Sequence, residues 1–178
     1  MYKILVVEPY FGGSHRQFLK RLEQHIKADF TFLTLPARKW KMRMQLSAPW
    51  FAKCVLETKE KRFDTVLCST FVDVAILKVL FNNIQGWNSS CRYCTYFHEN
   101  QFVYPIRQKE HSRHQFTAIN YNTALVSDRV AFNSHYNMKT FFEGCSQYLK
   151  KAADIHLNCT LDDIRRKSSV LYPGTDFT

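Results

Sequence analysis

Short, nearly uninterrupted apolar runs alternate with helix-patterned segments along the whole chain, and this alternation most restricts its fold. Lys3 to Glu8 (KILVVE), Phe30 to Leu35 (FTFLTL), Thr65 to Cys68 (TVLC), Arg92 to Phe97, Arg129 to Phe132 and Ser169 to Tyr172 read as six strands. Runs without a polar partner at every second position suit strands covered on both faces, as in a parallel sheet. Between them, apolar residues recur at helical spacing, as at Phe18, Leu22 and Ile26. Strands separated by helices imply right-handed crossovers. The expected fold is therefore α/β, a Rossmann-like, doubly wound, mainly parallel sheet with helices on both faces.

Local signals set the expected boundaries. Ser14 with Gln17, and Thr160 with Asp163, have capping-box spacing for the first and last helices. Further helices are expected from about Ala48 to Lys59, Val72 to Phe81, Gln115 to Val126, and from the fifth strand to about Lys151, with a charged loop from Arg107 to His114. A chain of 178 residues fits one domain, and the closing Pro173-Gly174 turn reads as a domain edge. No run of about 18 apolar residues is present, so no membrane span is expected. No cleavable leader is expected either, which makes reduced cysteines and a cytoplasmic location the default.

In open α/β sheets, ligands bind beyond the carboxyl ends of the strands. There the fourth strand runs into His98, Glu99, Asn100 and Gln101, a set suited to gripping a hydroxyl-rich ligand. The alternative is a structural histidine at a strand end, with Glu99 binding a hydroxyl, acting as a base or capping the next segment. Gly12, Gly13, Ser14 and His15 join the first strand to the first helix. Two glycines admit close backbone approach, and helix-start amides favour anions; a plain turn is the other reading. Asn133 and Ser134 follow the fifth strand, either lining the same crevice or, for Ser134, capping the next helix.

Lysine and arginine outnumber aspartate and glutamate by 25 to 15, giving a net charge of +10, compatible with a polyanionic partner or with a solvated basic surface. Arg38, Lys39, Trp40, Lys41 and Arg43 gather four cations around an indole, a composition suited to RNA phosphates and bases. The bland counterpart is a loop whose Trp40 folds back on the core. Cys91 and Cys94 with His111 and His114 superficially suggest zinc. The spacing is wrong, and residues three apart on a strand face opposite ways, so no metal site is expected.

Four segments together resemble one family: Glu8 to His15 (EPYFGGSH), Leu35 to Lys41 (LPARKWK), Tyr96 to Gln101 (YFHENQ) and Val170 to Gly174 (VLYPG). They look like the amino-terminal domain of tRNA-queuosine α-mannosyltransferases, retaining GT-B glycosyltransferases of the glycosyltransferase 4 type. The resemblance implies one amino-terminal, acceptor-side domain over residues 1–178. A carboxy-terminal domain binding the nucleotide sugar would lie outside this chain, which alone would be inactive. It implies transfer of mannose from GDP-mannose to queuosine in the anticodon of tRNA(Asp), with no cofactor and no metal. His98, with Glu99, would face the transferred sugar. Gly12, Gly13, Ser14, His15, Asn100, Gln101, Asn133 and Ser134 would line the substrate and donor side. Arg38, Lys39, Trp40, Lys41 and Arg43 would meet tRNA. One departure is Ser69-Thr70-Phe71, where the family resemblance leads one to expect an acidic residue, with Asp73 nearby. Alternatives are a non-catalytic RNA- or phosphate-binding module, and a GT-B enzyme with another acceptor.

Overall fold

A computed structural model of the protein describes residues 1–104 and 111–174. Six strands form a single sheet: β1 (Lys3–Phe11), β2 (Asp29–Pro36), β3 (Thr65–Ser69), β4 (Arg92–Phe97), β5 (Arg129–Phe132) and β6 (Ser168–Val170). Their order is β2-β1-β3-β4-β5-β6, and every neighbouring pair is parallel. The connections are α1 (Gly13–His25), α2 (Trp40–Glu57), α3 (Val74–Asn82), α4 (His111–Val126), and the pair α5 (His135–Lys150) and α6 (Asn158–Arg166). The order reverses between β1 and β3, because β2 lies on one side of β1 and all later strands on the other. A crevice opens at such a switch point.

Alternating side chains serve the two faces of the sheet. Leu5 and Val7 of β1, with Val66 and Cys68 of β3, bury against Phe51 and Val55 of α2 and Leu77 and Phe81 of α3. On the other face, Phe18 of α1 stacks on Tyr96 of β4 at 4.0 Å between ring centres. A second core gathers Phe97, Phe132, Phe141 and Ile164 between the sheet, α5 and α6.

Several boundaries differ from expectation. Helix α2 starts at Trp40, eight residues before the expected Ala48, so most of the basic segment is its first turn. Pro49 lies inside it on the exposed side, while Met44, Ala48, Phe51 and Val55 hold the buried stripe; packing outweighs the lost hydrogen bond. Neither capping box forms. The cap of α1 is Gly12 without a side-chain bond, and Ser14 is exposed. The Thr160 hydroxyl meets the Leu157 carbonyl and the Tyr121 hydroxyl instead of capping α6. Of the charged loop expected from Arg107 to His114, residues 107–110 lie outside the described residues, and the other half is the start of α4, which begins at His111.

Candidate active site at the switch point

Strand parity builds the site. Position 8 of β1 shares a face with Val6, position 69 of β3 with Leu67, and position 98 follows Tyr96 on the same face of β4. At the carboxyl ends of three adjacent strands this face carries Glu8, Ser69 and His98, beneath the first turn of α1. That turn delivers His15, which is 4% exposed.

His15 is held by both ring nitrogens. Its Nδ1 donates to Glu8 Oε2 at 3.0 Å, and its Nε2 lies 3.5 Å from Glu99 Oε2. The second oxygen of Glu8 accepts from the Tyr10 amide at 2.7 Å and from Ser69 Oγ at 3.1 Å. The second oxygen of Glu99 accepts from Thr70 Oγ1 at 3.3 Å. The His15 ring stacks on His98 at 3.9 Å and, nearly parallel at 7°, faces Phe71 at 5.3 Å. Ser69, Thr70 and Phe71, which stand where an acid was expected, therefore serve Glu8, Glu99 and His15 respectively. Asp73 does not reach the site; its carboxylate caps α3 at the Ile76 amide.

The two histidines are pushed to opposite charge states. Burial is the largest single influence on His15 and favours the neutral ring. The hydrogen bonds and charges of Glu8 and Glu99 together overcome it, raising the pKa to about 9. His98 is pushed down to about 2, first by burial and then by the charge on His15. Its ring nitrogens make no hydrogen bond among the described residues. The crevice thus holds a fixed imidazolium against a neutral imidazole, with one carboxylate, Glu99, partly open to solvent. A neutral imidazole both donates and accepts, which suits a hydroxyl group.

Glu8, His15 and His98 are also the one group of potential metal ligands that converges among the described residues, with donor atoms within 4.8 Å of one another. The set fits a cation poorly. His15 Nδ1 is already bonded to Glu8, and a protonated ring offers hydrogen, not a lone pair.

The remaining polar residues after β4 and β5 are tied into one hydrogen-bond network, and Asn100, Asn133 and Ser134 line a small cavity together with His98 and Glu99 as they do so. Asn100 Nδ2 donates to Asn137 Oδ1 at 2.8 Å and to Thr140 Oγ1 at 3.0 Å. Asn133 Nδ2 donates to the His98 carbonyl at 2.6 Å, and Asn137 Nδ2 to the Phe97 carbonyl at 2.9 Å. Ser134 Oγ caps α5 by accepting from the Asn137 amide at 3.1 Å. The Gln101 amide N–H meets Asn120 Oδ1, whereas its fully buried side-chain amide has no partner among the described residues. Asn100, Asn133, Asn137 and Asn120 are therefore the frame that fixes His98 and Glu99. Glu8, Ser69, Thr70, Asn120 and Asn137 were not singled out as site residues from the sequence. Only Glu8 carried a readable signal, an acid at the end of an apolar strand with the parity of a buried face.

Gly12 is extended, and a Cβ on it would sit 2.5 Å from the Ala37 Cβ, so the glycine lets the β1–α1 turn pack on the turn after β2. Gly13 has φ +52° with open space around it, a left-handed conformation that favours glycine through the backbone and not through packing. In the basic segment Arg38 and Lys39 are exposed. Trp40 turns inward against Phe71, Phe116 and Tyr104, with Lys41 Nζ 5.7 Å from its ring centre. Arg43 is half-buried.

An all-parallel, doubly wound sheet with its polar groups gathered at the switch point defines a Rossmann-like domain with a ligand crevice. Residues 3–175 match the family described as tRNA-queuosine alpha-mannosyltransferase N-terminal, and the chain belongs to that family. It is similar to the tRNA-queuosine alpha-mannosyltransferase of Drosophila melanogaster, with 31% identity over 175 residues, which is 98% of this chain. The chain spans 45% of that relative's length. No helix among the described residues is long and apolar enough to cross a membrane.

Proposed function

We propose that this chain is the acceptor-side half of a glycosyltransferase that moves mannose from GDP-mannose to queuosine in the anticodon of tRNA(Asp). The observation that carries the reading is the Glu8–His15–Glu99 clamp against a neutral His98 whose ring nitrogens make no hydrogen bond among the described residues, in a chain of this family. A module that only bound phosphate would gain nothing from a partly open carboxylate and an uncharged imidazole at its centre.

Each residue has a distinct task in this reading. His98 meets a hydroxyl of the transferred sugar, and Glu99 accepts from a hydroxyl beside it. His15 keeps both in place and supplies a fixed positive charge where negative charge develops on the departing diphosphate. The exposed Gly13 backbone and the start of α1 approach the donor. Arg38 and Lys39 at the rim hold tRNA phosphates, with Lys41 and Arg43 behind them. Transfer requires the donor-binding remainder of the protein and no metal ion, and it takes place in the cytoplasm. The test is mannose transfer from GDP-mannose to queuosine-containing tRNA by the full-length protein. A fall of at least 10²-fold in kcat/KM is expected for His98→Ala. Unchanged turnover in that variant removes His98 from the site, and transfer to other acceptors alone removes queuosine.

A further inference from the structure

Beside the clamp lies a cavity of about 240 Å³ lined by His98, Glu99, Val103, Tyr104, Tyr136 and Asn137, among others. It is smaller than the roughly 300–1,000 Å³ of a pocket for a drug-sized ligand. One ring system with a substituent fits such a space, and an entire nucleotide sugar does not.

Its walls differ sharply in character. The rim is apolar and open: Tyr136 is 71% exposed and Val103 45%. The floor is polar, with the neutral His98 ring and the Glu99 carboxylate. Neither lip hangs on a loose element. Tyr136 stands in the first turn of α5, capped by Ser134, and Thr140 Oγ1 holds its carbonyl at 2.9 Å. Val103 follows the loop that Asn100 ties to Asn137 and Thr140 of that same helix. One asparagine clamp therefore sets the spacing between the two lips.

We propose that Tyr136 and Val103 form a stacking slot for the heterocyclic base of the acceptor nucleotide, turned out of its loop, with its polar substituent lowered onto Glu99, beside the sugar held by His98. This rests on the acceptor reading above and names the part of the acceptor that the slot takes. An exposed aromatic ring and an exposed aliphatic side chain lining one cavity suit any base, since every base presents a π-face. Bases splayed from a loop are recognised by such stacking. Phosphate is the wrong occupant, because among the described residues the only charge lining the cavity is the Glu99 carboxylate, and the Asn100 amide is spent on internal bonds. That carboxylate selects a substituent that donates hydrogen bonds, a hydroxyl or an ammonium group.

The test measures binding of two anticodon stem-loop RNAs to the full-length protein by fluorescence anisotropy, one carrying queuosine and one abasic at that position. The wild type is expected to prefer the queuosine RNA by about tenfold or more. Tyr136→Ala brings that RNA to the abasic level and leaves the abasic RNA unchanged, while Tyr136→Phe keeps the preference. The exposed ring leaves the melting temperature of these variants unaltered. A wild type that binds both RNAs equally overturns the slot. So does a Tyr136→Ala variant that weakens both alike, or a Tyr136→Phe variant as weak as Tyr136→Ala. Base discrimination without mannose transfer refutes the enzyme reading and leaves the slot standing. Transfer with no effect of Tyr136→Ala on either RNA does the reverse.

Discussion

The His15 clamp makes a quantitative prediction about stability against pH. His15 has an ordinary pKa of 6.5 and one of about 9 when folded. At 1.36 kcal/mol for each pKa step, holding that proton contributes about 3 kcal/mol. The folded state binds the extra proton, so the contribution is complete below pH 6.5 and is lost as pH rises through 9. His98 acts with the opposite sign. It stays neutral when folded down to about pH 2, so the unfolded chain gains its proton first and stability falls as pH drops below 6.5. Between pH 6.5 and 9 the folded His98 ring is neutral, and the small slope left by unfolded chains still protonated near pH 6.5 cancels against a reference variant that keeps His98. Urea unfolding of the chain over that interval therefore isolates His15. With a slope near 2 kcal/mol/M, the midpoint falls by about 1.5 M. The reference is the Glu8→Gln/His15→Gln pair, which removes the buried ion pair without stranding the buried Glu8 carboxylate and leaves Glu99 partly solvated. It also carries the same buried cysteine thiols, whose raised pKa values begin to act near pH 9. An equal loss in wild type and double variant refutes the reasoning, as does a His15 ring that titrates near 6.5 by NMR.

Other perturbations follow from the same geometry. Gly12→Ala drives a methyl to 2.5 Å from the Ala37 Cβ and costs about 1–3 kcal/mol in thermal or urea unfolding; adding Ala37→Gly recovers most of it. Asn137→Ala removes one hydrogen bond each from the Phe97 carbonyl and the Asn100 amide, which keep the Asn133 amide and Thr140 Oγ1 as partners, and costs about 1–3 kcal/mol. Changing Arg38 and Lys39 together to Ala weakens RNA binding at every sequence and lowers the slope of log Kd against log salt by about 1 for each lost phosphate contact.

The apolar runs and their spacing carried all six strands, because a strand buried on both faces leaves a mark that needs no knowledge of its neighbours. They also carried the place of the site, since a polar cluster after a buried strand falls at the open end of the sheet. The His98 to Gln101 stretch shows where local reading stops. Four adjacent polar residues look alike in sequence, yet only His98 and Glu99 keep polar atoms free for a ligand, while the Asn100 amide is spent on internal bonds and Gln101 is fully buried. Trp40 was open to two readings in the sequence, and the packing of Phe71 and Phe116 decided for the inward one. The early start of α2 was hidden by Pro49, whose local cost is outweighed by a buried stripe visible only once the sheet is in place.

Sequence by itself therefore determined the fold class, the family resemblance and the end of the sheet where chemistry gathers, because periodicity and strand-end polarity are local properties. Tertiary structure alone decided the charge states. Glu8, His15, Ser69, His98 and Glu99 come from four separate stretches of chain, and the pairing of β1, β3 and β4 brings them within hydrogen-bond and stacking distance. Proton affinity depends on burial and on neighbours within a few ångströms, so no residue type or spacing announced that one histidine would be held charged and the ring stacked on it neutral.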